Sequence, residues 1–347
     1  MKRNSYIAIF VLLLLIISRL SSVRAQDIHF TQFSLQPLQQ SPSFVGNFDG
    51  NYRIAALYRN QWATIAVPYN SLGLGFDAKL YSTKKFSSFL ATGGNFFFDQ
   101  AGDGRLQSNY LQIPLGYTIY MPLDRNNTIK LGLGAAFGFL NKSLRLDQLQ
   151  FDNQFNGEVY DPNIAIAENF DQLSFFKPDV SIGYHVGYNF KEKIELGLGF
   201  GLHHLNKIEE SFLGDGLSIE LKKRISLPTY LKYTINKKWQ VQFDYLFQEQ
   251  NVKHEHLFGA VASFYLKNDY PAQTAIEFGS YYRYKDAVSG IIRYRQNNLL
   301  VGLSYDVNTS PLRAASSTYG GIELGLVYTI KKLEEPKIKN KRTCFVF

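Results

Sequence analysis

From about residue 48 to residue 331 the chain repeats one pattern. A bulky apolar residue is followed by a polar or very small one, often for ten residues at a stretch. In 194–202, Ile194, Leu196, Leu198, Phe200 and Leu202 alternate with Glu195, Gly197, Gly199 and Gly201. The stretches 72–80, 129–139, 180–188, 239–247 and 322–330 do the same. A period of two is that of a β-strand, whose successive side chains point to opposite faces. About fourteen such segments begin near 48, 69, 88, 106, 127, 178, 193, 217, 237, 254, 273, 286, 297 and 318. Many exceed the five or six residues of an ordinary soluble strand and reach the roughly ten that a tilted strand needs to cross a bilayer.

The connections alternate as well. With the barrel ends in the periplasm, every second turn should be tight. Those turns read "STKKFS" (82–87), "PLDRNN" (122–127), "FKEK" (190–193), "NKK" (236–238), "KNDYPAQ" (267–273) and "RQNN" (295–298). The opposite connections include 99–107, 141–177, 206–216 and 308–318. Even strand number, long strands and alternating turn lengths together predict an all-β fold: an outer-membrane β-barrel of about 14 antiparallel strands. The apolar residues would face lipid, and the glycines a lumen. A soluble β-sandwich or lipocalin-like barrel would share the periodicity with its faces reversed.

The N-terminus fits export. Lys2 and Arg3 precede an apolar run over 7–17, and Val23 and Ala25 obey the small-residue cleavage rule, so cleavage is expected near Ala25-Gln26. No later apolar run is long enough for a helical span. The expected organisation is a signal peptide over 1–25, an N-terminal segment over 26–47, a barrel over 48–331 and a basic periplasmic tail over 332–347. Segment 26–47 carries Phe30, Phe33, Leu35, Leu38 and Phe44, too apolar for a free tail, so it would plug the lumen or pack on the periplasmic rim. Pro37 and Pro42 forbid one continuous helix.

Composition excludes several classes. The single cysteine, Cys344, allows no intramolecular disulfide and no multi-cysteine metal site. The net charge of +8 is concentrated at the two ends of the chain, so it does not indicate nucleic acid. Phe (28) and Tyr (23) far outnumber Trp (2), which suits the aromatic girdles of a membrane barrel.

No catalytic constellation emerges. The glycine runs 132–138 and 197–201 do not open helices, so they are not phosphate loops. His203, His204, His254 and His256 have no third ligand in sequence and read as strand-end residues near an interface rather than a metal site. The glycine-rich 99–104 lacks the acidic spacing of a calcium loop. No cofactor is expected. Two regions are candidate partner contacts. Segment 141–177, with Asp147, Asp152 and Asp161, is too long for a plain connection. In "YRNQW", Tyr58 and Trp62 are interface aromatics at a strand end, while Arg59, Asn60 and Gln61 offer donors near the outer rim. The alternative role for Arg59 is to fasten a loop or plug through its planar fork.

Both ends of the mature chain resemble the PorP/SprF family of Bacteroidetes outer-membrane proteins. The resemblance lies in His29-Phe30, Gln32-Phe33, Pro37-Leu38, Pro42 to Gly46 and Tyr58 to Trp62, and in the "YDVNTSPL" turn (305–312) before the last strand. The terminal "CFVF" is similar to the family's "CP-F" ending, from which Phe345 and Val346 depart. The resemblance implies a non-enzymatic outer-membrane component associated with the type IX secretion system. It would assist export or surface retention of proteins bearing a type IX C-terminal domain, gliding adhesins among them. The implied partners are such exported proteins, other secretion components and outer-membrane lipid. The competing expectation is a passive porin or solute channel.

Overall fold

The computed structural model describes residues 27–331 apart from 64–66, 84–87, 125, 148, 192, 214–218, 270–271 and 312. The expectations for 1–25 and 332–347 lie outside the described residues. Fourteen antiparallel strands form the wall. They are β1 (Tyr52–Gln61), β2 (Tyr69–Thr83), β3 (Ser88–Ala101), β4 (Leu106–Pro122), β5 (Asn127–Ser143), β6 (Ser174–Phe190) and β7 (Ile194–His203) in the first half. The second half is β10 (Arg224–Thr234), β11 (Trp239–Gln250), β12 (Lys253–Asp269), β13 (Ala272–Arg283), β14 (Ala287–Gln296), β15 (Leu299–Asn308) and β16 (Tyr319–Ile330). Each pairs with its neighbours in chain order, and β16 closes on β1. Two short strands, β8 (Ile208–Glu209) and β9 (Glu220–Leu221), make a separate hairpin between β7 and β10.

The faces are those of a membrane barrel. On β6, Val180, Ile182, Tyr184 and Val186 are exposed outward, while Asp179, Ser181, Gly183, His185 and Gly187 are buried inside. The other strands repeat the arrangement, giving an apolar belt around a polar and glycine-rich lumen. That inversion excludes the soluble alternative, because an apolar outer face of this extent is stable only against lipid. Among the described residues no helix is long and apolar enough to cross a membrane.

The sequence places most strand starts within a few residues. Three boundaries move for physical reasons. Strand β6 starts at Ser174 rather than near 178, because Pro178 is accommodated opposite Phe139 and the ladder runs on to Ser143. Strand β10 starts at Arg224 rather than near 217, because Leu221 and Glu220 pair with Ile208 and Glu209 instead. The stretch 99–107 is no long loop: β3 and β4 extend through it to a turn at 102–105.

Of the two expected places for the N-terminal segment, lumen and periplasmic rim, residues 27–47 take the lumen. β1 starts and β16 ends at the short-turn end, as expected, but Asp27 lies at the opposite, long-loop end. It contacts Gln250 at the end of β11 and Arg224 at the start of β10. Residues 27–51 therefore descend through the lumen before the first strand begins.

Candidate functional site

The lumen segment 27–47 folds as a short 3-10 turn (Phe33–Leu35), a single helical turn (Pro37–Gln40) and a second 3-10 turn (Pro42–Phe44). Pro37 and Pro42 each open a turn, where a missing N–H costs nothing. Phe30, Phe33, Leu38, Phe44 and Val45 are almost fully buried. Each such side chain contributes about 1.5–3 kcal/mol relative to exposure.

Glycines on the wall make room for it. Gly116, Gly134, Gly183 and Gly201 lie in register across β4, β5, β6 and β7. A Cβ on Gly116 would come 2.5 Å from Val45, and one on Gly134 would come 2.6 Å from Pro42. Cβ atoms on Gly183 and Gly201 would strike Ser41 and Gln40. The four glycines form a trench that seats residues 40–45. Beside it, the β7–β10 ladder is interrupted at Leu227 and Pro228. Within the trench the Ser41 hydroxyl donates to the carbonyl of Phe200 at 2.7 Å.

Charged groups anchor the outer half. The buried Glu323 carboxylate accepts the backbone amides of Thr31 (2.6 Å) and Gln32 (3.0 Å). Arg59 donates to the carbonyl of His29 (2.9 Å) and to Asp306 (3.0 Å), with Glu323 at 3.5 Å. The Thr31 hydroxyl donates to Asp306 and accepts from Arg283. At the mouth, His204 lies between Asp27 and Asp179, and the Arg224 Nε sits 3.0 Å from Asp27. The space left around Asp27, His29 and Arg224 is only about 10 Å³. At the exit, Arg53 grips Asp77 through two 2.8 Å hydrogen bonds, and Asp77 accepts the Gly46 amide at 2.7 Å. Gly46 has φ +73°, and a Cβ there would meet Ala91 at 2.5 Å, so only glycine turns the chain at this point. Below the segment the lumen opens toward the short turns as a polar cavity of about 670 Å³.

The long-loop end carries a partial lid. The loop after β5 bonds back to the β3–β4 turn through Arg145 N–H to Gly104 O (2.9 Å). It meets the loop after β7 through Asp171 N–H to Phe212 O, and Lys142 pairs with Glu210 at 2.5 Å. Asp147 and Asp152 are exposed on this lid, and Asp161 accepts from the Asn163 amide at 2.9 Å. The stretch 58–62 is divided between faces. Tyr58 points to lipid and donates to Asn70, which also accepts from Asn60. Gln61 ends β1, and Trp62 packs on Tyr69 with ring centroids 4.9 Å apart. Arg59 is only 2% exposed and turned inward to the segment. Lid and β1 end are separated around the wall by β2, β3 and β4.

Reading histidines as interfacial misplaces two of them. His203 and His204 are buried, bonded to Gln40 and to Asp27 and Asp179. Among the described residues no three His, Cys, Asp or Glu side chains are arranged to hold a metal ion. The anchors Glu323, Asp306 and Asp179 were legible only as polar residues in alternating strands. Their pairing with residues 27–32 spans up to 292 positions and leaves no local signal.

The model of the family described as "Type IX secretion system membrane protein PorP/SprF" matches residues 22–328. No curated relative matches. Among solved structures, the Ralstonia pickettii toluene transporter TbuX is similar at 12% identity, covering 85% of this chain and 92% of that one, with a TM-score of 0.45. The Pseudomonas putida toluene transporter TodX is similar at 11% identity, covering 84% and 91%, with a TM-score of 0.44.

Proposed function

The chain belongs to the PorP/SprF family of type IX secretion system membrane proteins, and on that premise we propose that it is a sealed, non-enzymatic adaptor of the outer membrane. It associates with secretion components and holds an exported protein at the surface through the latter's C-terminal secretion domain. The carrying observation is that residues 27–47 fill the outer half of the lumen, from the Asp27 latch to the glycine trench. A passive porin needs an aqueous path along the axis, and that path is occupied. In this reading cleavage near Ala25-Gln26 gives the mature chain its N-terminus, and residues 27–47 are its plug. The partner is met by the lid around Asp147, Asp152 and Asp161 and by the rim at Asn60, Gln61 and Trp62.

The test pairs a measurement on the purified full-length protein with one on the same protein in cells. In planar bilayers it should conduct no steady current. With photo-cross-linkers at Asp152 or Asp161 in cells, it should link to an exported protein carrying a type IX C-terminal domain. Steady conductance with no cross-linked protein would return the porin reading to first place.

A further inference from the structure

Below the plug, the cavity reaches the short-turn end, where Asn297 and Asn298 line its mouth. Its volume lies within the roughly 300–1,000 Å³ of ordinary ligand sites. Seven basic and four acidic side chains line it. Lys79 on β2 and Lys130 on β5 donate to adjacent plug residues, the Phe48 carbonyl (2.7 Å) and the Asn47 side chain (2.8 Å). Among the described residues neither lysine has a carboxylate within ion-pair distance.

Arg293 on β14 is the sharper indication. It is 5% exposed and lines the cavity. Its Nε donates to Gln32 at 3.0 Å, and its Nη1 reaches Glu277 only at 3.7 Å. Its Nη2 has no partner. A buried guanidinium nitrogen without an acceptor is an incomplete fork, and a carboxylate is the group that completes it.

We propose that this vestibule binds an acidic peptide segment presented from the periplasm. The excess of cations selects the carboxylates. Side-chain amides of Asn189, Gln240 and Gln242 offer donors and acceptors to peptide groups, and the plug's Phe33 and Phe44 give an apolar ceiling. Every barrel strand is paired on both sides, so recognition rests on side chains and not on strand addition. The direction of entry rests on the sealed-lumen reading, in which residues 27–47 fill the outer half of the lumen.

The probe is a fluorescein-labelled, end-blocked hexapeptide alternating aspartate and phenylalanine, read by fluorescence anisotropy against the full-length protein in nanodiscs. Its twin has asparagine for aspartate. The acidic peptide should bind about tenfold tighter than its twin, the step expected for one charge-assisted contact of about 1.4 kcal/mol. Arg293→Gln and the pair Lys79→Gln with Lys130→Gln should each lose about that factor. Lys207→Gln with Lys253→Gln, exposed at the other end, should change nothing. A bulky maleimide on Asn298→Cys, in a Cys344→Ser background, should block binding from the mouth. Equal binding of the two peptides, or unchanged binding in the Lys79/Lys130 pair, overturns the proposal, and the pair decides should Arg293→Gln fail to fold. A non-conducting barrel that ignores both peptides sinks this inference alone; a conducting one sinks the sealed-lumen reading.

Discussion

Nε2 of His204 lies 2.8 Å from Oδ2 of Asp27, a contact between residues 177 positions apart. On its other side, Nδ1 lies 3.1 Å from Asp179. Burial alone would lower the imidazolium's pKa. The two carboxylates outweigh burial and raise it to about 9. Burial would likewise raise Asp27, but His204 and Arg224 hold its carboxyl well below the usual range. Both shifts favour the ion pair that fixes the start of the plug.

The latch should therefore open in base. A raised histidine contributes stability that is complete below its ordinary value of about 6.5 and lost as pH rises through about 9. The depressed Asp27 contributes above about 3.8 and fails only in strong acid. A spin label on Ile28→Cys, in a Cys344→Ser background, should gain a mobile component with a midpoint near pH 9. In His204→Gln that transition should vanish. A wild-type spectrum unchanged between about pH 7 and 10.5 would contradict the latch.

Arg59→Met should loosen the plug strongly. It leaves Asp306 and Glu323 buried, 2% and 0% exposed in their side chains, with the shared guanidinium gone. Removing one member of a buried ionic group costs about 3–5 kcal/mol. Protease cleavage within 27–47 should accelerate accordingly, with Arg59→Lys between the two. A cleavage rate matching wild type would rule out the anchoring role.

Gly134→Leu should expel residues 40–45, since even a Cβ there meets Pro42 at 2.6 Å. The expected readout is current in planar bilayers from a barrel that still shows its heat-modifiable shift on gels. Ala135→Leu, one residue on and facing lipid, should stay silent. Silence in both variants would mean that the trench does not position the plug.

Leu133→Arg tests the lipid face. Leu133 is 69% exposed near the middle of β5. A cation at bilayer mid-depth costs about 2–4 kcal/mol, so the urea midpoint of folding into bilayers should fall. An unchanged midpoint would argue that this face does not meet lipid.

The wall was legible because its chemistry is local. Period two, turn length and strand length all lie within a dozen residues, so Leu196 and Gly197 announce their faces without knowledge of the rest. Arg59 was legible as a candidate fork, but not its acceptors. Those acceptors, His29, Asp306 and Glu323, come from the plug and the last two strands. The path of 27–47 was hidden for the same reason. Its apolar residues promise burial, but a lumen lined by glycines and charges offers no periodic partner to read. His204 reads as a rim residue until Asp27 is known to lie at the same end.

The trench also binds two distant stretches of sequence into one quantity. Gly134 and Pro42, or Gly116 and Val45, occupy a single shared volume. Bulk added on the wall must be taken from the segment. Drift at 116, 134, 183 and 201 can therefore proceed only through paired exchange with 40–45, small for large and large for small. Residues between 71 and 161 positions apart in the chain would change together, as neighbours do.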